Sequence, residues 1–387
     1  MKNYDCDVLI IGGGPAGSTA AIILADAGIN VVLVEKKIFP RETICGEFLS
    51  HEVITILSEL NLLKKFYELN PNRLKYFSLY DDSGKVFSTS LEFTGYSVKR
   101  SVFDNLLFNE AGKRGVKLYP NSGVTSVNEL EKGFNVEVSL GNGGTKIISS
   151  EFVIGAYGKR NILDKKFGRS FASKKSGYYG IKFHIENKLL NQISAEHINL
   201  YTTNGVYCGV NVLSKEETTI CYLFNKDRLT ANTNPVQQLI QKNKFFRNLF
   251  VNHSALEFNK IQNYGTGNIF FGKREVVANN IMMIGDAAGI IAPLAGDGIG
   301  MAMESAKLAA GIIIDSIHKK NRSEIVNEYQ KKWSEQFQQR VRNAVLIQNI
   351  IMRNSQRKFA LSIVKRFPDL LNKSIRLTRR SRILNHS

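Results

Sequence analysis

The chain has 387 residues, 43% of them apolar and 22% charged, as in an ordinary globular protein that can bury a sizeable core. Its four cysteines are widely spaced and form no Cys-x-x-Cys pair, which excludes a disulfide framework and argues against a metal site. The formal net charge of +18 is unusual and favours contact with an anionic partner.

No targeting or membrane-spanning segment is predicted. Residues 1–7 are mostly polar and the first apolar run starts at Val8, so we expect no signal peptide and a cytoplasmic protein. The long apolar stretch 281–314 contains four charged residues and six glycines. Because a spanning helix needs about twenty largely uncharged residues, this stretch is predicted to lie in the core.

The chain begins with a predicted βαβ unit. Residues 8–11 form a continuous apolar run, typical of a strand buried on both faces of a parallel sheet. Glycines and a helix over 18–27 follow, and residues 31–34 form a second apolar strand. The sequence therefore predicts an α/β fold from its first elements.

The turn after the first strand carries a dinucleotide-binding pattern. Gly12, Gly14 and Gly17 occupy the three positions of G-x-G-x-x-G, which permit the turn, the approach of a pyrophosphate and close helix–strand packing. The helix N-terminus offers free N–H groups to phosphates. Glu35 follows Gly17 by eighteen residues, near the spacing expected for an acid that binds a ribose hydroxyl.

The middle of the chain alternates between two patterns. A helix over 101–114 and strands over 116–119 and 152–156 continue the first fold, and a hairpin is predicted around 141–144. Strands over 178–184, 198–202, 207–213 and 218–224 alternate polar and apolar residues, which indicates an antiparallel sheet and a second domain. A strand over 281–284, a helix over 298–318 and a helix over 323–367, ended by Pro368, complete the chain.

A second signature lies far downstream of the glycine loop. Residues 285–289 read Gly-Asp-Ala-Ala-Gly and lead to the glycine-rich run 293–300. Together with Phe-Pro-Arg at 39–41, Cys-Gly-Glu at 45–47 and Arg-Ser-Val-Phe-Asp at 100–104, this resembles the p-hydroxybenzoate hydroxylase superfamily, and within it the geranylgeranyl reductase family. The resemblance covers about residues 5–320 and implies non-covalently bound FAD.

The resemblance also implies a fold and a set of contacts. It implies a Rossmann-type, glutathione reductase-like FAD-binding domain formed by 1–75, 96–169 and 265–322, with an inserted antiparallel substrate domain formed by 76–95 and 170–264. The segment 323–387 is predicted to be a basic C-terminal helical region. The candidate cofactor-binding residues are Gly12, Gly14, Pro15, Ala16, Gly17, Glu35, Lys36, Cys45, Gly46, Arg100, Val124, Gly285, Asp286, Pro293, Gly296, Gly298 and Ile299.

Three departures from the resemblance narrow the function. Tyr157, Asn161 and Asp164 replace the Asp, Ser and Arg of the aromatic hydroxylases' Asp-Gly-x-x-Ser-x-x-Arg segment, which puts NADPH-driven hydroxylation in doubt. Tyr207 is kept from the prenyl reductases' Tyr-x-Trp segment but the tryptophan is lost, which argues against a close archaeal-lipid reductase. The Trp-x-Trp-x-Ile-Pro motif is absent and Trp333 is the only tryptophan, so we set flavin halogenases aside.

The basic charge is concentrated at the C-terminal end. Residues 337–387 contain twelve basic side chains against Asp369 alone, namely Arg340, Arg342, Arg353, Arg357, Lys358, Lys365, Arg366, Lys373, Arg376, Arg379, Arg380 and Arg382. An amphipathic basic helix favours an anionic membrane surface, and the alternative is a solvated face packed on the enzyme. No nucleic-acid motif accompanies the charge, so no nucleic acid is expected as a partner.

The leading hypothesis is a geranylgeranyl reductase-like FAD-dependent oxidoreductase acting on a hydrophobic prenyl, lipid or polyketide-like substrate. One alternative is an FAD-dependent monooxygenase that hydroxylates an aromatic or lipidic phenol. The other is a basic interaction protein with a vestigial flavin site. No second nicotinamide-binding fold is present in the sequence, so the electron donor is NAD(P)H bound transiently or a ferredoxin-type carrier. No catalytic acid or base is identified.

Overall fold

The computed structural model describes residues 4–230, 233–252, 261–317 and 321–379. Its strands are β1 (Cys6–Ile11), β2 (Val31–Val34), β3 (Phe48–Leu49), β4 (Asn72–Asp81), β5 (Val86–Ser97), β6 (Lys117–Tyr119), β7 (Gly123–Glu129), β8 (Phe134–Ser139), β9 (Thr145–Gly155), β10 (Tyr178–Glu186), β11 (His197–Thr203), β12 (Val206–Val212), β13 (Glu217–Asn225), β14 (Asn263–Thr266), β15 (Gly272–Lys273), β16 (Val277–Ala278), β17 (Ile281–Met283) and β18 (Gly289–Ile290). Its α-helices are α1 (Pro15–Asp26), α2 (His51–Glu59), α3 (Leu63–Tyr67), α4 (Arg100–Lys113), α5 (Ile162–Lys166), α6 (Pro235–Lys242), α7 (Lys244–Arg247), α8 (Gly298–Ser316), α9 (Arg322–Ile351), α10 (Asn354–Arg366) and α11 (Asp369–Arg376).

The first sheet confirms the predicted βαβ unit. Its strand order is β16-β17-β9-β1-β2-β6, and β1 pairs in parallel with β2 on one side and β9 on the other. The apolar run of β1 is buried on both faces, as expected for a central parallel strand. The predicted hairpin is formed by β8 and β9. The strand predicted over 152–156 is the continuation of β9 and ends at Gly155.

The second sheet contains the four alternating strands that the sequence predicts. Its order is β14-β10-β13-β12-β11-β4-β5-β3, and β10 to β13 pair only in antiparallel fashion with one another. The exception to the expected antiparallel sheet is the parallel pair β11–β4. In β10, Ile181, Phe183 and Ile185 face an apolar cluster shared with α6 and α7, whereas Lys182 and His184 face the opposite side.

The C-terminal region differs from the prediction of one helix over 323–367. The helix ends at Ile351 and a new one begins at Asn354, because Arg353 is extended and the Met352 carbonyl accepts a hydrogen bond from the Gly205 N–H instead. The helix predicted to reach His318 ends at Ser316, and residues 318–320 lie outside the described part. Trp333 and Phe337 lie in the core, as predicted.

Part of the basic C-terminal charge is neutralised within the protein. The Arg357 side chain is fully buried and its guanidinium binds Asp81 at 2.6 Å and Asp82 at 2.8 Å. Arg340, Arg376 and Arg379 also pair with acids of the preceding chain. Arg380 and Arg382 lie outside the described residues. Several of the basic side chains that the sequence assigned to an external partner therefore form ion pairs that attach the C-terminal region to the rest of the protein.

Candidate functional site

The glycine loop has the geometry that its spacing predicts. A Cβ on Gly12 would lie 2.5 Å from the Ala156 carbonyl oxygen, and Gly12 has a φ of +108°. A Cβ on Gly17 would lie 1.8 Å from the Gly12 carbonyl oxygen, so these two positions need glycine for the turn and for packing. A Cβ on Gly14, by contrast, would meet only the Arg41 guanidinium, at 3.5 Å. Gly14 thus leaves an open approach beside the start of α1.

The two distant signatures meet at this loop. Gly285 has a φ of +59°, and a Cβ there would lie 2.9 Å from the Cβ of Ala16. The N–H of Gly285 donates to the Ser305 hydroxyl of α8 at 2.8 Å, which fixes the turn that carries Asp286. Within the described part of the chain, the Asp286 carboxylate takes part in neither a hydrogen bond nor an ion pair, and it is partly exposed. It is therefore available to a ligand that lies over the glycine loop.

Glu35 and Arg41 border the same loop. The Glu35 carboxylate is buried and accepts hydrogen bonds from the N–H groups of Gly13 at 2.7 Å and Lys37 at 2.9 Å. The Arg41 guanidinium lies 3.7 Å from both Glu35 and Asp104, and its Nε has no hydrogen-bond partner among the described residues. Arg41 was not among the predicted site residues, although Phe-Pro-Arg at 39–41 was part of the resemblance.

The segment that departs from the hydroxylase pattern holds the Asp286 turn. The Tyr157 hydroxyl donates to Asp164 at 3.0 Å and accepts from Arg169 at 3.1 Å. Arg169 also donates to the Ala287 carbonyl at 2.6 Å, and Arg274 donates to the Asp286 carbonyl at 2.9 Å. The replacements at Tyr157 and Asp164 therefore create a buried network that supports the second signature.

The segment 45–47 connects the two sheets. The Gly46 carbonyl accepts a hydrogen bond from the Asn211 amide of β12 at 2.7 Å. The buried carboxylate of Glu47 accepts from the Arg100 N–H at 3.0 Å, from Lys182 at 3.0 Å and from His184 Nε2 at 2.7 Å. We name Glu47, Lys182 and His184 the buried polar cluster. Sequence reasoning missed it, although the polar residues at alternate positions of β10 were a usable signal.

The charges of the buried polar cluster stabilise one another. Burial alone would raise the pKa of Glu47, but the hydrogen bond from His184 and the charge of Lys182 outweigh it and lower that pKa. Burial would lower the pKa of Lys182, but Glu47 and Glu42 outweigh it and raise that pKa. Ligand atoms of Glu42, Glu47 and His184 lie within 4.8 Å of one another, as in a metal site. The Lys182 ammonium already satisfies both carboxylates, so the group is better described as an ion-pair network.

A second cluster of buried charges surrounds the glycine-rich run 293–300. Asp297 is the residue before α8, and Arg340 of α9 and Arg379 both pair with it. The carboxylates of Glu52 and Glu304 join the same cluster through these arginines. Burial, followed by the charge of Glu52, raises the pKa of Asp297 to about 7. The C-terminal region is thus attached directly to one of the predicted flavin-binding loops.

An apolar wall lies beside this loop. Residues of the glycine-rich run and of β18 pack in one cluster with the inner face of the second sheet and with the end of α9. The cluster includes Leu79, Leu200, Tyr207, Leu223, Ile269, Ile290, Leu294, Ile347 and Ile351. The Tyr207 hydroxyl donates to Gln348 of α9 at 3.1 Å, so the tyrosine kept from the reductase pattern faces this wall.

The remaining candidate residues are placed as follows. Arg100 starts α4 and its guanidinium forms two hydrogen bonds with Asp104, at 2.7 and 2.8 Å. Val124 is buried in β7, two residues after Ser122, whose N–H donates to the Glu35 carbonyl. Lys36 and Pro293 are exposed. Of the other candidates, Pro15 begins α1, Gly298 and Ile299 begin α8, and Cys45 and Gly296 lie in loops.

A parallel sheet with a glycine loop, an acid at the end of the second strand and a second Gly-Asp turn packed on that loop is typical of a flavoprotein of the dinucleotide-binding type. The chain belongs to the FAD binding domain family, which it matches over residues 5–344. The expected cofactor, FAD, and the expected Rossmann-type fold are thereby confirmed, and the protein is an FAD-dependent enzyme.

The curated relatives include reductases and halogenases. The chain is 26% identical to a digeranylgeranylglycerophospholipid reductase of Methanococcus vannielii, over 94% of this chain and 96% of the relative. It is 25% identical to a 1H-pyrrole-2-carbonyl-[peptidyl-carrier protein] chlorinase of Pseudomonas fluorescens, over 89% of this chain and 82% of the relative. The resemblance to geranylgeranyl reductases is confirmed. The halogenases that the sequence set aside are also among the relatives, so the comparisons leave the choice between the two reactions open.

Solved structures of similar fold also include a halogenating enzyme and a reductase-like protein. The flavin-dependent brominase Bmp2 superposes with a TM-score of 0.78 at 21% identity, over 96% of this chain and 93% of the brominase. A geranylgeranyl bacteriochlorophyll reductase-like protein of Thermoplasma acidophilum superposes with a TM-score of 0.73 at 20% identity, over 91% of this chain and 89% of that protein. At these identities the likeness establishes the fold.

Proposed function

We propose that this chain is a flavin-dependent reductase that adds hydrogen to a double bond of a largely apolar substrate, such as a prenyl lipid. The observation that carries the proposal is the apolar wall, in which Ile290 and Leu294 pack with the inner face of the second sheet. A substrate that reaches this loop meets aliphatic and aromatic side chains. The full-length likeness to the archaeal lipid reductase favours the same substrate class.

The residues around the glycine loop suit FAD. The open side of Gly14 and the Arg41 Nε, which has no hydrogen-bond partner among the described residues, would bind its pyrophosphate, Glu35 its adenosine ribose and Asp286 its ribityl chain. The N-terminus of α8, at Gly298 and Ile299, would face the pyrimidine edge of the flavin ring system. When bound, FAD supplies hydride transfer.

The buried polar cluster offers the proton that such a reduction needs in addition to a hydride. His184 is the least buried member, with 14% of its side chain exposed, and it contacts Glu47 next to Gly46. Nearby, Asn211 Oδ1 and Thr219 Oγ1 are buried without hydrogen-bond partners among the described residues. Because buried polar atoms are normally paired, they are suited to hold one polar group of an otherwise apolar substrate.

The proposed partners follow from this chemistry. The substrate is a hydrophobic small molecule, and the electrons come from NAD(P)H bound transiently or from a ferredoxin-type carrier. The expected cytoplasmic location, at the periphery of a membrane, remains a prediction. In the described residues no helix is both long and apolar enough to cross a membrane.

A second candidate is oxygen-dependent halogenation or hydroxylation of an aromatic substrate. The likeness to the pyrrole chlorinase, over most of both chains, is the observation that favours it. It differs from the reductase in needing oxygen and, for halogenation, a halide ion.

One experiment separates these reactions. The flavin of the purified protein is reduced anaerobically with dithionite, and a geranylgeranyl lipid or a phenol is then added. We expect the lipid to reoxidise the flavin without oxygen and to gain two hydrogen atoms, as seen by mass spectrometry. Reoxidation that requires oxygen, with a product that contains a new oxygen or halogen atom, would overturn the reductase proposal. Repeating the reduction with NADH, NADPH and reduced ferredoxin identifies the donor.

A further inference from the structure

Helix α10 presents an apolar stripe to solvent. Phe359 and Ile363 lie one turn apart on α10 and are 69% and 37% exposed, and Phe367, which directly follows the helix, is 56% exposed. The opposite face of the helix is fixed on the body, because Leu361 is buried and Arg357 is fully buried between Asp81 and Asp82. These contacts fix the orientation of α10, and the stripe therefore faces solvent. Three large apolar side chains in a row on a surface indicate an interaction site.

Unpaired cations frame this stripe. Lys358, Lys365 and Arg366 are exposed, and within the described part of the chain they form no ion pair. α10 itself contains no acidic residue. Buried cations such as Arg357 help to hold the C-terminal region in place, whereas the cations beside the stripe form no ion pair with any described residue. This division leaves a surface that is both apolar and positive.

A shallow cavity of about 680 Å³, widely open to solvent, lies at the start of the same helix. It is lined by Arg228, Arg353 and Lys358 and by the uncharged polar residues Asn204, Asn354 and Ser355. Its lining has three cations and no carboxylate. Such a cavity suits a phosphate group, which accepts hydrogen bonds from all of these side chains. Lys358 lines the cavity and is the neighbour of Phe359 in the chain, so the cavity adjoins the stripe.

We propose that this face, formed by the stripe, its cations and the cavity, docks on a membrane that contains anionic phospholipid. The apolar side chains enter the headgroup–acyl boundary, and the cavity takes a lipid phosphate. Charge complementarity favours an anionic partner, and the protruding stripe favours a bilayer, which needs no matching groove for Phe359. The inference deepens the proposed peripheral location and rests on it, but not on the proposed reaction.

Vesicle flotation of the full-length, FAD-loaded protein tests the proposal. We expect binding to phosphatidylcholine vesicles that contain phosphatidylglycerol and much weaker binding to phosphatidylcholine alone. The double variant Phe359→Ser/Ile363→Ser is expected to bind at least about tenfold more weakly. Arg353→Gln/Lys358→Gln is expected to lose about fivefold for each charge removed.

Two matched variants serve as controls. Ile147→Ser removes an apolar side chain that is 64% exposed elsewhere, and Lys132→Gln removes an exposed cation; both should bind as the parent does. FAD content and dithionite reduction are measured on the same samples, so a loss of the flavin site is distinguished from a loss of docking.

The outcomes are decisive in both directions. Selective loss of vesicle binding in the α10 variants supports the proposal. A flavin-loaded parent that does not float with anionic vesicles overturns it, and so does unchanged binding by Phe359→Ser/Ile363→Ser. If the parent ignores vesicles and this face instead retains a purified acidic carrier protein, the surface is a protein-docking site and the membrane proposal is wrong.

Discussion

The Lys182 ammonium donates a hydrogen bond to the Glu47 carboxylate at 3.0 Å, and both side chains are fully buried. Lys182 belongs to the second sheet, whereas Glu47 follows the Cys45–Gly46 turn and also accepts from the N–H of Arg100, at the start of α4. The pair thus joins the second sheet to the part of the chain that carries the glycine loop. A buried ion pair costs desolvation, so its value lies in fixing one arrangement of these groups.

Removing one partner of this pair should destabilise the protein strongly. We expect Lys182→Met to lower the free energy of unfolding by about 3–5 kcal/mol, because Glu47 is left as a buried charge with one donor fewer. Urea unfolding measures the loss. Lys75→Met, which removes the exposed lysine of the Lys75–Glu196 pair, should have little effect. Equal losses in the two variants would contradict the assigned burial.

The three glycines of the loop are predicted to differ: Gly12 and Gly17 are needed for folding, whereas Gly14 is needed for FAD binding. Gly12→Ala and Gly17→Ala place a Cβ 2.5 and 1.8 Å from carbonyl oxygens and should destabilise the protein even without FAD, by about 1–3 kcal/mol or more. Gly14→Ala meets only the flexible end of Arg41 at 3.5 Å and should leave the apoprotein stable. Its FAD affinity should fall, because the cofactor must then approach a methyl group.

Thermal unfolding of the apoprotein and quenching of flavin fluorescence report the two effects separately. The interpretation of Gly14 as the approach point for pyrophosphate would be wrong if Gly14→Ala bound FAD with the affinity of the parent.

Arg41 is predicted to bind the cofactor. Within the described part of the chain its Nε has no hydrogen-bond partner, so a charged hydrogen bond to FAD would be gained on binding. Arg41→Met is expected to weaken FAD binding by roughly tenfold to a hundredfold, since such bonds contribute about 1.5–3 kcal/mol. Calorimetric titration of the apoprotein with FAD measures this. Lys307→Met, which removes an exposed lysine paired with Glu59, is the control and should bind FAD normally.

The Asp297 cluster predicts a dependence of stability on pH. The pKa of Asp297 is raised from 3.8 to about 7, so between these values the folded protein binds more protons than the unfolded chain. Stability from this group is therefore present at low pH and is lost as pH rises through about 7. From about pH 5 to 8 the parent should lose stability relative to Asp297→Asn, by roughly 2–3 kcal/mol.

The comparison is made by urea unfolding at each pH, and Asp26→Asn, at an exposed carboxylate, is the control. Parent and Asp297→Asn curves that stay parallel across this range would show that the proton is held elsewhere in the cluster of Glu52, Glu304, Arg340 and Arg379.

The elements of the first fold could be predicted because their signals are local. The apolar run of β1, the three glycines, Glu35 and the next strand all lie within 35 residues, and each has a physical requirement that few residue types meet. The alternation in β10 to β13 likewise follows from the two-residue period of a strand. The distant Gly-Asp turn was recognised by resemblance, and the approach of Gly285 to Ala16 explains why the two signatures must coexist.

Long-range pairings decided the rest. Nothing local in residues 323–367 indicates that the chain must break at Arg353, since the break depends on the Met352 carbonyl meeting Gly205 and on Arg357 meeting Asp81. The ion pairs of the basic C-terminal region likewise cannot be read from its local sequence. By itself the sequence determined a dinucleotide-binding α/β fold with excess positive charge at one end. Only the tertiary structure decided which of those basic side chains form buried ion pairs and which are exposed beside Phe359 without an ion-pair partner among the described residues. The reason is that burial and pairing depend on residues far apart in the chain.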